Sequence, residues 1–505
     1  MKAYGKADSA LGRATKSILP LLVVFTIYSI SLSMTIPAAP LLMLEITGNQ
    51  SGRASILYGA SSFLKYLVEF FSSPLLGNYS DSFGRKPMLL LSLAVVTVEL
   101  IMLGVSPHIA IIFITRAMSG ALDCTTQMLY AAVIDISSHN NENATKYFGY
   151  LGACFGLGFI IGPLLGSYIA ELHLAAVFLL SAALSLLAMV VTYFFLEETL
   201  SVLDRRDYQY DKQTIMAPVR TVVEVLQNPE VRKLAVPYGL SSLNVGIYFI
   251  WIYYMKHHFS LGITSVGKFL SLSGFMTVLV QGFAVQFLVP RYLSDEVMVF
   301  RCFVISALQN LAYGLCGNLE AFYIVMLLSS ISSSYGPCLR SLLAATVPSN
   351  EQGKLQGALN SLRTLFTGSG SLLYTAVYTL SIHESVTLSG LPFFVASAVY
   401  VVNTVYYYRF ILGNLNSSAA ISAVGNQQRF ATGSDSAGGS TASVNVLMPA
   451  NISPFSVGIK TDAGSPRAEE STSLLSLELR ATKGGYQSSS TNDVDVDDFN
   501  DNVKL

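Results

Sequence analysis

The feature that most constrains the fold of this chain is a series of twelve long, mostly apolar stretches. A helix needs about 20 consecutive, mostly apolar residues to cross the hydrocarbon core of a bilayer. Only 12% of the 505 residues are charged, about half the share found in soluble domains. We therefore predict an all-α membrane protein with twelve transmembrane helices. The predicted spans 1 to 12 are residues 17–44, 55–77, 87–105, 107–134, 146–170, 174–196, 233–257, 265–289, 297–317, 319–347, 353–381 and 390–412.

The distribution of lysine and arginine between the loops predicts how these spans are oriented. Loops that face the cytosol carry an excess of both residue types. If the N-terminus is cytosolic, the loops on the opposite side contain only Arg53, Lys256 and Lys268. Both termini are therefore predicted to face the cytosol. The ends of the spans on that side are called inner below, and the opposite ends outer.

The longest predicted inner loop divides the spans into two sets of six. We predict a cytosolic N-terminal segment at 1–16, a six-helix half at 17–196, a cytosolic linker at 197–232 and a second six-helix half at 233–412. Two such halves are expected to hold a solute site between them near the middle of the membrane. Residues 413–505 are rich in Ser, Gly, Asn and Asp. They cannot bury enough apolar surface to fold alone, so we predict a disordered cytosolic tail.

The predicted tail contains one short pattern with a functional interpretation. Glu470 lies four residues before Leu474 and Leu475, and this spacing fits the acidic dileucine pattern that clathrin adaptors bind. The alternative is a chance match in a long polar segment. The first interpretation predicts an endosomal or lysosomal location with clathrin adaptors as partners, and the second leaves the plasma membrane equally open.

A polar segment, Gly77–Pro87, lies between spans 2 and 3. It holds Asp81, Arg85 and Lys86 within six residues, and it contains two glycines, Gly77 and Gly84. We predict a tight loop, with the proline in the first turn of the next helix, where its missing N–H has no consequence. The pattern G-x-x-x-D-x-x-G-R-K-P resembles the signature loop between helices 2 and 3 of the major facilitator superfamily of transporters.

That resemblance implies a role for the segment in gating. It implies that Arg85 ties Asp81 to Asp135 at the inner end of span 4. It also implies that Asp81 contacts the start of span 11, near residues 352–354, as a latch between the halves. A helix N-terminus favours a nearby carboxylate. The alternative is that Arg85 and Lys86 only follow the positive-inside rule.

A glycine-rich motif lies in span 5. Gly158, Gly162 and Gly166 are spaced so that a neighbouring helix can approach closely, and Pro163 is expected to bend the helix. The run G-x-x-x-G-P-x-x-G resembles the helix 5 motif of proton-coupled drug antiporters in the same superfamily, with Ser167 where a further glycine is expected. The alternative is helix packing without a coupling role.

Three further segments narrow the resemblance. Residues 73–77, 309–314 and 351–363 are similar to the tetracycline-antiporter-like branch, and within it to the eukaryotic hippocampus-abundant-transcript-like proteins. The resemblance covers residues 17–412 and excludes the tail. It implies transport of small solutes and names no substrate.

Ionisable side chains inside predicted spans are expensive to bury and are functional candidates for that reason. Arg116 and Asp123 are seven residues apart on one face of span 4, with Gln127 a turn beyond. Arg116 matches the arginine that the superfamily ties to proton coupling, and a buried carboxylate beside it can bind and release protons. We predict a proton-coupling pair. The alternative is an internal salt bridge, and Asp123 departs from the closest family, which has a neutral residue there.

Most of the other charged residues inside the predicted spans allow two interpretations. Lys65 and Glu69 share a face of span 2 and can neutralise each other, although Lys65 also matches a lysine of the similar family. Glu99 in span 3 is expected to form a structural ion pair. Arg340 and Arg363 have no evident acidic partner in the second half. Either a substrate carboxylate or phosphate, or backbone carbonyls and water, must satisfy them.

Together these features predict a secondary active transporter of small solutes that works by alternating access and is coupled to protons. The expected partners are a small-molecule solute, protons and the lipid bilayer. The alternatives are a facilitative uniporter, or a receptor or sorting protein that keeps the fold without transporting. The expected cavity residues are Tyr28, Lys65, Gln127, Asn244, Tyr248, Tyr253, Tyr335, Arg340 and Arg363.

Several function classes are not expected. The chain has no phosphate-binding loop of the G-x-x-x-x-G-K-[ST] kind, so an ion gradient must supply the energy. The net charge of −1 gives no nucleic-acid footprint. The histidines, acids and five cysteines form no catalytic triad and no metal-ligand spacing. We therefore predict no enzyme activity, no cofactor and no metal site.

Overall fold

The computed structural model describes residues 17–140, 144–200, 205, 216–280, 294–347, 352–382 and 390–413. All of them belong to one compact unit, which runs to Gly433. The remaining unit, Ser434–Leu505, lies outside the described residues, and so do the predicted sorting residues Glu470, Leu474 and Leu475.

The described chain is built of helices, and within the described residues every predicted span coincides with one helix or with consecutive pieces of one. For span 8, residues 281–289 lie outside the described residues. Spans 4, 7 and 10 are each broken, into α4 and α5, α9 and α10, and α13 and α14. The helices are α1 Leu19–Ile46, α2 Ser51–Phe83, α3 Arg85–Val105, α4 Ile109–Leu122, α5 Thr125–Asn140, α6 Ala144–Leu172, α7 Leu174–Phe195, α8 Ala217–Gln227, α9 Pro229–Asn244, α10 Trp251–His258, α11 Ile263–Leu279, α12 Asp295–Leu315, α13 Leu319–Ser332, α14 Tyr335–Ala345, α15 Gln352–Ile382 and α16 Leu391–Tyr407.

Length and apolar composition alone identify fewer membrane spans than twelve. Within the described ranges, eight helical segments are long and apolar enough, and the pair α9 and α10, bent by 45°, makes nine. The other three spans are α2, α11 and α15. The described part of α11 has only 17 residues, while α2 and α15 carry polar side chains where the two six-helix halves meet. Protein rather than lipid covers those faces, so their low hydropathy does not prevent them from spanning.

Close helix pairs hold the two halves together and pack each half internally. Between the halves, α2 packs on α15 and α6 packs on α11. A Cβ at Gly59 of α2 would collide with Thr375 of α15, and one at Gly267 of α11 would collide with Ser167 of α6. Glycine is therefore required for these approaches. Ser167, the departure from the span 5 motif, is itself part of this contact.

The span 5 glycines face span 1, within the N-terminal half. A Cβ at Gly158 would lie 2.5 Å from Cβ of Ser29, and Cβ atoms at Gly162 and Gly166 would collide with Ser33 and with the backbone of α1. The hydroxyl of Ser33 donates to the carbonyl of Gly158 at 2.7 Å. Pro163 lies within the continuous helix α6. The motif thus brings α6 and α1 into backbone contact.

The predicted loop at Gly77–Pro87 is wrong. Helix α2 continues through Phe83 and α3 begins at Arg85, so Gly84 alone interrupts the helical conformation. Gly84 has φ +108° and ψ 162°, a conformation that is almost confined to glycine. The polar residues up to Phe83 are therefore the end of α2, and those from Arg85 are the first turn of α3. Both helices extend beyond their apolar spans, because loss of hydrophobicity marks the membrane surface and not the end of a helix.

Contacts between the halves concentrate at the outer ends of the spans. The hydroxyls of Ser55 and Thr379 lie 3.1 Å apart, and the hydroxyl of Tyr253 donates to the carbonyl of Pro40 at 3.0 Å. Towards the inner ends, no described heavy atom lies within 4 Å of the Cβ positions of Gly77 on α2 or Gly357 on α15. We therefore interpret the described arrangement as closed on the outer side and open between α2 and α15 on the inner side, where the linker helix α8 contacts both helices.

Candidate functional site

Two ion pairs link the spans of the N-terminal half, and their partners differ from the predicted ones. Lys65 Nζ lies 3.7 Å from Asp123 Oδ2, and Arg116 Nη1 lies 3.5 Å from Glu99 Oε1. Among the described residues, Arg116 and Asp123 do not form the salt bridge that was the alternative to a proton-coupling pair, and Lys65 does not pair with Glu69. The predicted structural ion pair of Glu99 is confirmed. The partners of Lys65 and Arg116 were not predicted, because the sequence analysis assumed one unbroken helix and counted only neighbours along it.

A break in span 4 explains why Asp123 turns away from Arg116. Helix α4 ends at Leu122, Asp123 adopts an extended conformation, and α5 begins at Thr125. Asp123 Oδ1 accepts hydrogen bonds from the hydroxyl of Ser92 at 2.9 Å and from the N–H of Thr125 at 3.1 Å. The Ser92 hydroxyl also accepts from the N–H of Cys124 at 2.9 Å. The carboxylate thus stabilises the start of α5, as a capping residue does.

The second pair lies deeper in the half. Glu99 is only 6% exposed, and a buried charge is tolerated only when it is paired and hydrogen-bonded. Within the described structure, Nε of Arg116 is buried and has no hydrogen-bond partner. The N–H group at Nε of Arg116 is therefore available to donate a hydrogen bond to a water or to another acceptor.

Both pairs border the same small cavity, which lies among spans 1, 2, 3, 4 and 6 within one half. Tyr28 and Phe178 form part of its wall beside the four charged side chains. The space has room for roughly three water molecules. It is too small for an organic solute, but it can hydrate the ion pairs.

Of the side chains predicted to line the central cavity, Tyr28 and Lys65 border the small cavity instead, and the others fall into two groups. In the first group the side chains are exposed or half-buried. Arg363 and Arg340 are exposed, and Nη2 of Arg340 donates to the hydroxyl of Tyr238 at 2.9 Å. Tyr248 is 58% exposed in the 3₁₀ turn between α9 and α10. Gln127 is half-buried and donates from Nε2 to the Ser73 hydroxyl at 2.9 Å.

In the second group, two side chains are buried and the third is packed against an aromatic ring. Tyr253 is buried, and its hydroxyl bonds to span 1 and lies 3.4 Å from the carbonyl of Ala54 in span 2, so it helps to close the outer side. Asn244 is buried and accepts a hydrogen bond from the Tyr374 hydroxyl. Tyr335 is half-buried, with its ring centroid 5.4 Å from that of Phe303. For Tyr253 and Asn244 the cavity prediction was wrong, because side-chain polarity does not show which face of a broken span turns inward.

At the inner ends, Arg85 joins three spans. Its Nη1 lies 2.6 Å from Asp81 Oδ1 on span 2, and its Nε lies 3.1 Å from Asp135 Oδ2 on span 4. The Thr199 hydroxyl also donates to Asp135, at 3.2 Å. The side chains of residues 352–354 lie outside the described residues, so the predicted contact of Asp81 with the start of span 11 lies outside them too.

Sequence reasoning missed Glu198, which lies just beyond the inner end of span 6. Its carboxylate accepts the N–H groups of Arg85 at 2.9 Å and of Lys86 at 3.2 Å, the first two residues of α3. The ammonium group of Lys86 donates to the carbonyl of Tyr193 at 2.8 Å. A carboxylate at a helix N-terminus is stabilising. The sequence did contain a signal for this contact. Glu198 directly follows an apolar span, and it lies on the same side of the membrane as the start of α3.

Residues 21–371 match the sequence profile of the Major Facilitator Superfamily. The tetracycline resistance protein, class C, of Escherichia coli is 28% identical over 404 residues, which cover 77% of this chain and 96% of that protein. The human hippocampus abundant transcript-like protein 1 is 24% identical over 330 residues, 64% of each chain.

Solved structures show the same fold. The human organic anion transporter MFSD10 (TETRAN) matches with a TM-score of 0.60 and 20% identity, covering 77% of this chain and 98% of that one. The nucleoside transporter NupG matches with a TM-score of 0.62 and 14% identity, covering 77% and 98%. The predicted resemblance to tetracycline antiporters and to hippocampus-abundant-transcript-like proteins is confirmed. The match to the Major Facilitator Superfamily profile covers most of the two six-helix halves. The chain therefore belongs to this superfamily.

Proposed function

We propose that this protein is a secondary active transporter that couples the movement of a small solute to the movement of protons. Membership of the superfamily already implies a transporter rather than an enzyme, working by alternating access in a membrane. Proton coupling and the kind of solute are the further claims. The observation that carries the first claim is the pair of carboxylates, Asp123 and Glu99, that share one small cavity with Lys65 and Arg116.

The position of Asp123 supports its role as the proton-binding group. As a carboxylate it holds Lys65 and the first N–H of α5. Protonation would remove its charge, release Lys65 and weaken the start of α5. The other end of α5 carries Asp135, which is bound to Arg85. A proton can shift an equilibrium between two conformations only by binding one of them more tightly, and α5 connects the proton site to the inner ends of spans 2 and 3.

Two arginines support the proposal that the solute in the central cavity carries an anionic group. Arg340 and Arg363 are exposed side chains of the C-terminal half, which we take to face this cavity, and no described carboxylate lies within 4 Å of either guanidinium. One structural neighbour is named as an organic anion transporter, and several relatives are named for tetracycline resistance. Tetracycline and p-aminohippurate are therefore the first probes.

Flux measurements in proteoliposomes test the proposal. We expect the parent protein to concentrate one of the two radiolabelled probes when a pH difference is imposed. Asp123→Asn should abolish this concentration and leave exchange of labelled for unlabelled probe intact. Glu320→Gln, at an exposed acid on the outer side, is the matched control and should behave like the parent. If Asp123→Asn still concentrates the probe, Asp123 is not the coupling group, and if the parent ignores the pH difference the protein is a uniporter.

A further inference from the structure

We propose that Glu69 of α2 and Arg363 of α15 form an ion pair between the two halves when the inner side of the transporter closes. The inference rests on alternating access and does not depend on proton coupling. It starts from the contact line between these two helices, which is called the α2–α15 seam. The seam is closed at the outer end and open at the inner end.

The closed part of the seam fixes its register. A Cβ at Gly52 would meet Thr379 at 3.3 Å, and the hydroxyl of Ser371 donates to the carbonyl of Gly59 at 3.2 Å. A Cβ at Gly368 would lie 2.8 Å from Cβ of Tyr66. The 14 residues from Gly52 to Tyr66 on α2 are thus matched by 11 residues from Thr379 back to Gly368 on α15. The two helices therefore run antiparallel.

Continuing this register brings Glu69 to the same depth as Arg363. Glu69 lies three residues beyond Tyr66, and Arg363 lies five residues before Gly368. Both helices are continuous through these positions. The two residues therefore occupy the first level below the last close contact of the seam.

Both side chains also point to the same side of the seam. On α2, Glu69 lies in one row with Lys65, which pairs with Asp123, and Ser72, which donates to the carbonyl of Gly120 at 2.7 Å. That row turns towards span 4. On α15, Arg363 lies one turn before Thr367, whose hydroxyl donates to span 7 at 3.2 Å. Spans 4 and 7 flank the central cavity, so the carboxylate and the guanidinium approach each other from its two walls.

Neither charge has an ion-pair or hydrogen-bond partner among the residues that the structure describes. While the inner side is open, water in the cavity can solvate both groups. When the inner side closes, this water must leave, and each charge then needs a partner. The opposite charge at the same depth supplies it.

The inner part of the seam is built to close on the same register. Gly77 on α2 and Gly357 on α15 lie at matching depth, and open space surrounds the Cβ position of each within the described structure. Glycines allow two helix backbones to approach closely. The outer part already uses Gly59 and Gly368 in this way, so the same kind of contact is available at both ends of the seam.

Disulfide formation in purified protein tests the proposal without any solute. In a variant without the five native cysteines, Glu69→Cys is combined with Arg363→Cys as the inner pair, and Ser55→Cys with Thr379→Cys as the outer pair. Glu69→Cys with Gln356→Cys is the off-register control. Gly59→Leu would force the outer seam apart, because a Cβ there already collides with Thr375. Gly357→Leu fits the open state and would block inner closure.

We expect Gly59→Leu to speed crosslinking of the inner pair and slow that of the outer pair. Gly357→Leu should have the opposite effect on both. The off-register pair should not respond to either substitution. If the inner pair responds no more than the off-register pair, or responds in the same direction as the outer pair, the register is wrong and the proposal falls.

A second measurement tests the charges themselves. The crosslinking rate of the outer pair, Ser55→Cys with Thr379→Cys, reports how often the inner side is open. Glu69→Gln or Arg363→Gln alone would leave one charge to be buried unpaired on closure, and each should raise this rate by roughly tenfold. The double substitution removes both charges and should return the rate towards that of the parent. Purely additive effects of the two substitutions would overturn the ion pair, whether or not transport proves to be proton-coupled.

Discussion

The two glycines of the Gly77–Pro87 segment are equivalent in the sequence pattern, but the structure predicts opposite effects for their replacement by alanine. At Gly84, φ is +108° and ψ is 162°, and a side chain there would introduce strain of about 1–3 kcal/mol. The new Cβ would also collide with the carboxylate of Glu198. That carboxylate caps α3 through the N–H groups of Arg85 and Lys86, and loss of a cap costs about 0.5–2 kcal/mol. Gly84→Ala should therefore destabilise the fold by roughly 2–5 kcal/mol in total.

Gly77→Ala is the matched control, because Gly77 lies inside α2 and no described heavy atom lies within 4 Å of its Cβ position. Alanine is a better helix former than glycine, so this variant should gain about 0.5–1 kcal/mol. Both variants would be unfolded by a denaturing detergent and compared with the parent in the same micelles. Adding Glu198→Ala to Gly84→Ala should cost less than the sum of the two single changes, because it removes the collision. Equal stability of Gly84→Ala and Gly77→Ala would refute the reasoning.

Three further outcomes are expected. Arg116→Gln leaves Glu99 buried without its partner and should destabilise the fold by about 3–5 kcal/mol, whereas adding Glu99→Gln should recover most of this; thermal unfolding of both variants gives the comparison. Asp81→Asn keeps every positive charge and hence the topology, but it should lower probe transport and enlarge the inward-open population. Cysteine labelling from the inner side measures that population, and equal labelling with equal transport would contradict the latch. Leu474→Ala with Leu475→Ala should move the protein towards the plasma membrane, and unchanged localisation by fluorescence microscopy would contradict the sorting prediction.

The membrane spans and the family were accessible from the sequence because they depend on local or linear properties. A bilayer demands a certain length of apolar helix, so spans such as 17–44 are visible as composition alone. The motif at Gly77–Pro87 is contiguous, and so is the glycine pattern of span 5. None of these features requires knowledge of how one helix is rotated against another.

The partners of the buried charges were not accessible in this way. Lys65 pairs with Asp123 across 58 positions, and Arg116 pairs with Glu99 on a neighbouring span. Both pairings depend on how α2, α3 and α4 are rotated against one another and on the break after Leu122. No proline lies at that break, and Gly120 is explained by its close approach to the backbone of Lys65. Charge spacing along one helix therefore identifies which residues are costly to bury, but not which residue will neutralise them.

The continuity of α2 and α15 connects the two inner contacts that we propose. Glu69 and Asp81 are twelve residues apart on α2, a rise of about 18 Å along one unbroken helix. The register of the seam places Arg363 opposite Glu69. It places Gln352, at the start of α15, opposite Asp81. Helix α2 stays continuous through Pro74, so we expect it to move as one body. Inner closure that brings Glu69 to Arg363 should then also bring Asp81 towards the start of α15. Blocking the seam at Gly357, which lies between these two levels, should therefore prevent both contacts together, whereas Asp81→Asn should weaken the second and leave crosslinking of the 69–363 pair possible.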